Sequence, residues 1–188
     1  MDVLAIDPRN IDTDLVVCAA FEGQTGSLSG WSHATKSEID RAQASKEFTG
    51  KLFETFLTPI VAGDFRARRL AAIGLGREAD FTIDRARRVA TAIGLQARDK
   101  KIARIAFTAD GALDTPEMIQ ALAEGLTLAE FEAGHYKTWD YAPFRLDALA
   151  ILTSERSLEA ATAAVRRVAS LVSTATWLAR WTMSRQTF

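Results

Sequence analysis

Arg69-Leu70-Ala71-Ala72-Ile73-Gly74-Leu75-Gly76-Arg77 is the stretch on which the fold turns. Its apolar run fits a strand buried on both faces, and the glycines after it fit a loop of the kind at which open α/β sheets bind ligands. Thr82 then offers a hydroxyl N-cap to a helix whose Ile83, Ala86, Val89, Ala90, Ile93 and Ala97 share one face. Arg85, Arg87, Arg88 and Arg98 lie largely off that face.

Working outward, Val3-Leu4-Ala5-Ile6 and Leu15-Val16-Val17-Cys18-Ala19-Ala20 read as two strands buried on both faces. Residues 22–37 are rich in Gly, Ser and Thr and read as a loop, after which Ser37 caps a short helix. Leu52 to Leu57 predicts a strand closed by Pro59, and Ile102 to Thr108 predicts another, followed by an Asp110-Gly111 turn. Thr115-Pro116 opens a helix with Ile119, Leu122, Ala123, Leu126 and Ala129 as its buried stripe. Gly125 in its middle costs about 1 kcal/mol against alanine, so close approach of another backbone is expected there. An irregular crossing over Tyr136 to Pro143, a strand over Leu146 to Leu152 and a long helix from Ser157 to Trp181 complete the chain. Alternating strands and helices define an α/β fold built on a mixed, mostly parallel sheet.

The 188 residues suffice for one domain with a substantial core, and 48% hydrophobic with 25% charged residues is an ordinary globular composition. A net charge of −1 gives no bulk attraction to nucleic acid or membrane. The charge is nonetheless blocked, with +7 over 65–105 and −6 over 106–154. The basic block reads as solvated helix surface, and nucleic acid is not expected as a partner. The beginning, Met1-Asp2-Val3-Leu4, lacks the basic and apolar regions of an export signal, and no run reaches the length of a membrane span. Cys18, the single cysteine, excludes an internal disulfide; the cytoplasm is the expected location.

Gly74-Leu75-Gly76-Arg77-Glu78-Ala79 matches the G-x-G-x-x-A dinucleotide fingerprint, which makes Gly74 and Gly76 candidate ligand contacts. The expected helix start at Thr82 is too late to aim its amides at a pyrophosphate, and Asp110 comes too late to be the ribose acid. A tight structural turn is therefore preferred. His33, His135 and Cys18 are not spaced as metal ligands, Asp12 and Asp14 read as turn residues, and Cys18 falls within a buried strand. Lys51 and Lys137 read as solvated lysines. No complete catalytic constellation is present in the sequence. At the far end, Trp177, Trp181, Met183 and Phe188 crowd the last helix with nothing after them to cover the apolar surface, marking Trp177, Trp181 and Phe188 as interface candidates.

Several local patterns recur together: the Leu-Val-Val strand, Phe48-Thr49-Gly50-Lys51, Arg68-Arg69-Leu70 running into Gly74-Leu75-Gly76, Glu124-Gly125 with Leu128-Ala129, and Tyr136-Lys137-Thr138. In this order they resemble the N-terminal domain of the leucyl aminopeptidases, the cytosol aminopeptidase family, over roughly residues 1–180. The resemblance implies a three-layer, macro-domain-like unit over 1–153, followed by a connector helix over 154–188. It also implies that the two divalent metals and every catalytic residue of such hexameric exopeptidases belong to a C-terminal domain not represented here. No catalytic residue, metal ligand or cofactor is carried over to this sequence. Glu132-Ala133-Gly134-His135 departs from the family pattern before Tyr136. The expectation is a non-catalytic assembly or regulatory domain. It would self-associate, or dock a catalytic domain or chain, through its last helix. The alternative is a stand-alone macro-like module binding a nucleotide or ADP-ribose-type ligand.

Overall fold

A computed structural model describes residues 1–130 and 146–183, with side chains described up to 170. The expected crossing over 136–143, the departure at 132–135, His135, Lys137, the side chains of Trp177 and Trp181, and Phe188 lie outside the described residues. In chain order the main elements are β1 (Asp2–Leu4), β2 (Leu15–Ala20), α1 (Glu38–Ala44), β3 (Thr55–Pro59), β4 (Arg69–Gly74), α2 (Ile83–Asp99), β5 (Arg104–Thr108), α3 (Pro116–Glu130), β6 (Ala148–Leu152) and α4 (Leu158–Met183). The strands form one sheet in the order β1-β6-β5-β2-β4-β3. Every pairing is parallel except that of β3, which lies antiparallel on β4 with Leu57 opposite Ala71.

Alternation along each strand divides the core into two layers. Leu15, Val17, Ala71, Ile73, Ile105, Phe107 and Ile151 point toward α2, α3 and α4. Val16, Cys18, Leu70, Ala72, Ala106 and Leu152 point the other way, toward Leu28, Ile39, Ala42 and Phe48. The chain is thus a three-layer α/β domain. β2 and β4 are almost wholly buried because both faces are covered. β1 is not: it pairs only with β6, and Asp2 is exposed with Val3 and Leu4 half-buried, so the expectation of a strand buried on both faces is corrected to an edge strand.

α2 begins where expected, with Thr82 Oγ1 accepting from the Arg85 amide at 3.2 Å, and Thr115 does the same for the Met118 amide at 3.3 Å. α2 and α3 pack backbone to backbone through two glycines. A Cβ on Gly125 would stand 2.2 Å from the Arg87 carbonyl oxygen, and one on Gly94 would stand 2.4 Å from the Ala129 Cβ. The close packing expected of Gly125 is present.

Other local expectations need correction. Ser37 precedes α1 but adopts φ +62° and makes no capping bond; the Thr35 hydroxyl instead meets the Ile39 amide at 3.5 Å. The third strand begins at Thr55 rather than Leu52, because Phe53 takes φ +66° in a turn that a strand cannot accommodate. Residues 25–31 form a short 3₁₀ helix that inserts Leu28 into the core. Ile83 is 44% exposed, so the buried face of α2 starts at Ala86. The first half of α4 belongs to the core, through Ala161, Val165 and Val168.

Candidate functional site

Parallel strands give the sheet two unlike ends, and in open α/β sheets ligands gather at the carboxyl end. Here that end carries the glycine loop. Gly74 donates to the Glu54 carbonyl at 2.8 Å, Leu75 to Ala20 at 2.9 Å and Gly76 to Gly50 at 3.0 Å. The Gly74 carbonyl accepts from Phe53 and that of Gly76 from Glu22. All three amides a phosphate would need are therefore already committed. The side-chain space is filled as well: a Cβ on Gly74 would lie 1.8 Å from the Lys51 carbonyl oxygen. Gly76 sits at φ +76° against Leu52, and Gly50 at φ +83° against the Phe21 carbonyl. A side chain at Gly74 or Gly50 would run into backbone, and one at Gly76 would be strained by its positive φ and crowded against Leu52 at 3.1 Å.

The segment that seals this loop is itself held by a carboxylate. Glu54 accepts from the Thr49 amide at 2.7 Å, the Thr49 hydroxyl at 3.0 Å and the Lys51 amide at 3.1 Å. Burial pushes its carboxyl up, but these bonds and one from the Gly50 amide outweigh it and hold the group below the usual carboxylate range. The loop over 49–51 is a nest of amides whose anion is supplied by the chain. Around this end the arginines of the basic block are paired: Arg77 and Arg85 with Asp80, Arg88 with Asp84, and Arg87 with Glu124 at 2.7 Å.

At the amino end of the strands the arrangement differs. Arg104, opening β5, reaches Asp14 at 3.1 Å and Asp12 at 3.3 Å, and Arg68 reaches Asp14 at 3.5 Å. Donation from the Arg104 side chain is the main cause that holds the Asp14 carboxyl below its ordinary value. Asp12 and Asp14 thus tie together the starts of β2 and β5 and the approach to β4, a role that their reading as turn residues missed. Two recesses open beside this clip. One, of about 250 Å³, is lined by Asp14, Arg68, Arg69, Lys101 and Ile102. The other, of about 160 Å³, shares Ile102.

The remaining candidates are dispersed. His33 pairs with Asp64 at 3.3 Å on the surface. Cys18 is buried, donates to the Ala71 carbonyl at 3.6 Å, and has its thiol pushed far up by burial. Lys51 is exposed. Among the described residues no three His, Cys, Asp or Glu side chains are grouped to hold a metal ion.

Strand order, layering and register place the chain in the macro-domain class of α/β folds. The macrodomain of Mycobacterium tuberculosis DarG superimposes with a TM-score of 0.57 at 15% identity, over 81% of this chain and 97% of that one. A mutant of tomato leucine aminopeptidase superimposes with a TM-score of 0.69 at 17% identity, over 91% of this chain and 36% of that one. Residues 17–139 match the cytosol aminopeptidase family, N-terminal domain, and the chain belongs to that family. The "Probable cytosol aminopeptidase" of Koribacter versatilis is 30% identical over 169 residues, 78% of this chain. The chain spans about a third of that relative's length, 32%.

Proposed function

We propose that this chain acts as a non-catalytic assembly or regulatory unit of a cytosol-aminopeptidase-type metallo-exopeptidase, working in the cytoplasm. The observation that carries it is the match of residues 17–139 to the N-terminal domain of that family. In this reading residues 1–153 are the macro-like body and 154–188 the connector. The divalent metals and the peptide chemistry belong to a catalytic domain. α4 supports a docking role: it runs 26 residues, about 39 Å at helical rise, while its described core contacts fall in the first half. Val172, Ala175 and Leu178 continue its apolar spacing toward Trp177 and Trp181.

Two measurements test this. The pure protein with added manganese or zinc should not turn over a leucine anilide; metal-dependent turnover would overturn the non-catalytic role. Light scattering should show a self-associated species that Trp177→Ala with Trp181→Ala converts to monomer. A monomeric wild type, or an unchanged mass in the double variant, would contradict docking through α4.

A nucleotide or ADP-ribose-type ligand at Gly74 and Gly76 is the weaker alternative. The fold is shared with a macrodomain, but the loop's amides are already donated within the chain. Calorimetry with ADP-ribose should give no binding heat.

A further inference from the structure

β3 closes one side of the sheet; among the described residues it pairs with β4 and with no other strand. The Gly74 amide donates to the Glu54 carbonyl at 2.8 Å, and the Ile60 amide to the Arg68 carbonyl at 2.9 Å. Both bonds belong to the register that sets Thr55 against Ile73. An antiparallel ladder alternates, so Phe56 and Thr58 turn their backbone groups toward β4, while Thr55 and Leu57 turn theirs away from the sheet. Each of these outward residues presents one amide and one carbonyl.

Sheet edges are ordinarily guarded by charge, by proline or by shortness. β1, the opposite edge, has three residues and begins with the exposed Asp2. β3 has five residues and no charge, and its only guard is Pro59 at the end. Phe53 and Leu57 leave apolar surface exposed along it, and Val61 does so just beyond. An extended backbone is what answers alternating donors and acceptors of this kind.

A second copy of β3 answers all of them. In an antiparallel pair with two-fold symmetry about Phe56, Thr55 of one copy faces Leu57 of the other, and every outward amide and carbonyl of both residues is used. Pro59 then falls opposite Phe53, where no amide is left over: proline has none, and that of Phe53 already donates to the Gly74 carbonyl at 3.1 Å. Phe56 meets its own counterpart, and β3 brings no charge to the axis. Moving the axis to Leu57 would set Thr55 against Pro59 and leave the Thr55 carbonyl without a donor.

We propose that two copies of this chain pair antiparallel through β3 about Phe56, joining their sheets into one. Five residues a side fall far below the roughly 20–30 of a standard interface, so the contact is weak, with a Kd on the order of 0.5 mM. It does not rest on docking by α4, which packs beside β1 at the other edge of the sheet.

Solvent-exchange NMR on the full chain, compared at about 20 μM and about 1 mM, reads the pairing residue by residue. At the higher concentration the Thr55 and Leu57 amides should exchange about two- to threefold more slowly, as roughly 60% pairing implies. Those of Phe56 and Thr58, already turned to β4, should be unchanged. The slowing should persist in Trp177→Ala with Trp181→Ala and vanish in Leu57→Lys, which puts a charge on an exposed edge position. Circular dichroism checks the fold of the lysine variant; should it not fold, the wild-type comparison decides. Equal exchange of Thr55 and Leu57 at both concentrations overturns the proposal, as does protection of both already at the lower one, which would mean that the chain itself covers the edge. Slowing lost in the tryptophan variant, or retained in a folded Leu57→Lys, overturns it as well.

Discussion

The two ends of the sheet use the same charged residue types to opposite effect. At the carboxyl end the backbone turns inward: Gly50, Gly74 and Gly76 press loops together, Glu54 fills the nest of amides over 49–51, and Arg77, Arg85, Arg87 and Arg88 find acidic partners. At the amino end one clip, Asp14 with Arg104 and Arg68, neutralises its own carboxylate and leaves Arg69 and Lys101 beside open space. The fold class places ligands at the first end, but the side chains leave room at the second. Fold-level rules thus locate where a site can form, and the local pairing of donors and charges decides whether one does.

The largest effect that would sharpen this contrast is Gly74→Ala. Its Cβ would meet backbone, the Lys51 carbonyl at 1.8 Å, which cannot yield without moving the sealing loop. A loss of at least ~4 kcal/mol in denaturant unfolding, or failure to fold, is expected. A loss below ~1 kcal/mol would show that the loop is not packed as described.

Glu54→Ala comes next, at about 2 kcal/mol, because it leaves several amide donors without their anion. The sign with pH follows from linkage. Glu54, Asp14 and Glu124 all have carboxyls held below their unfolded values. Their stabilisation is complete above the unfolded range near ~4 and is lost as pH falls through the lower folded values. Stability should therefore drop on acidification below about pH 5. That slope should flatten in Glu54→Gln, and an unchanged slope would remove Glu54 from the account.

Asp14→Asn should cost less, about 1 kcal/mol, since the pair is partly solvated. It should also leave the carboxyl-end loops unperturbed by NMR. Smallest is Arg77→Ala, whose ion pair with Asp80 is surface-exposed: a change within about 0.5 kcal/mol is expected, and a larger one would mean that the carboxyl end depends on its rim charges.

Much of this was legible in the sequence where the signal is local. The apolar runs of β2 and β4, the caps Thr82 and Thr115, and the mid-helix Gly125 are each decided by neighbours within a few residues. The misreadings arose where a distant partner or an unusual backbone angle decides. Phe53 and Ser37 take positive φ, which composition does not signal. Asp14 meets Arg104 across 90 residues of chain, and only the parallel pairing of β2 with β5 brings them together. Glu54 is the intermediate case. Its partners lie only three to five residues away, but the loop must first curl into a nest for them to converge.

The glycine loop carries the contrast between the two ends, and amide hydrogen exchange reads it directly. Gly74, Leu75 and Gly76 should exchange as slowly as the core amides of β2 and β4 and keep that protection unchanged when ADP-ribose is added. Fast exchange at these three amides, or protection gained only with the nucleotide, would show that the loop is an open cradle and contradict its role as a sealed structural turn.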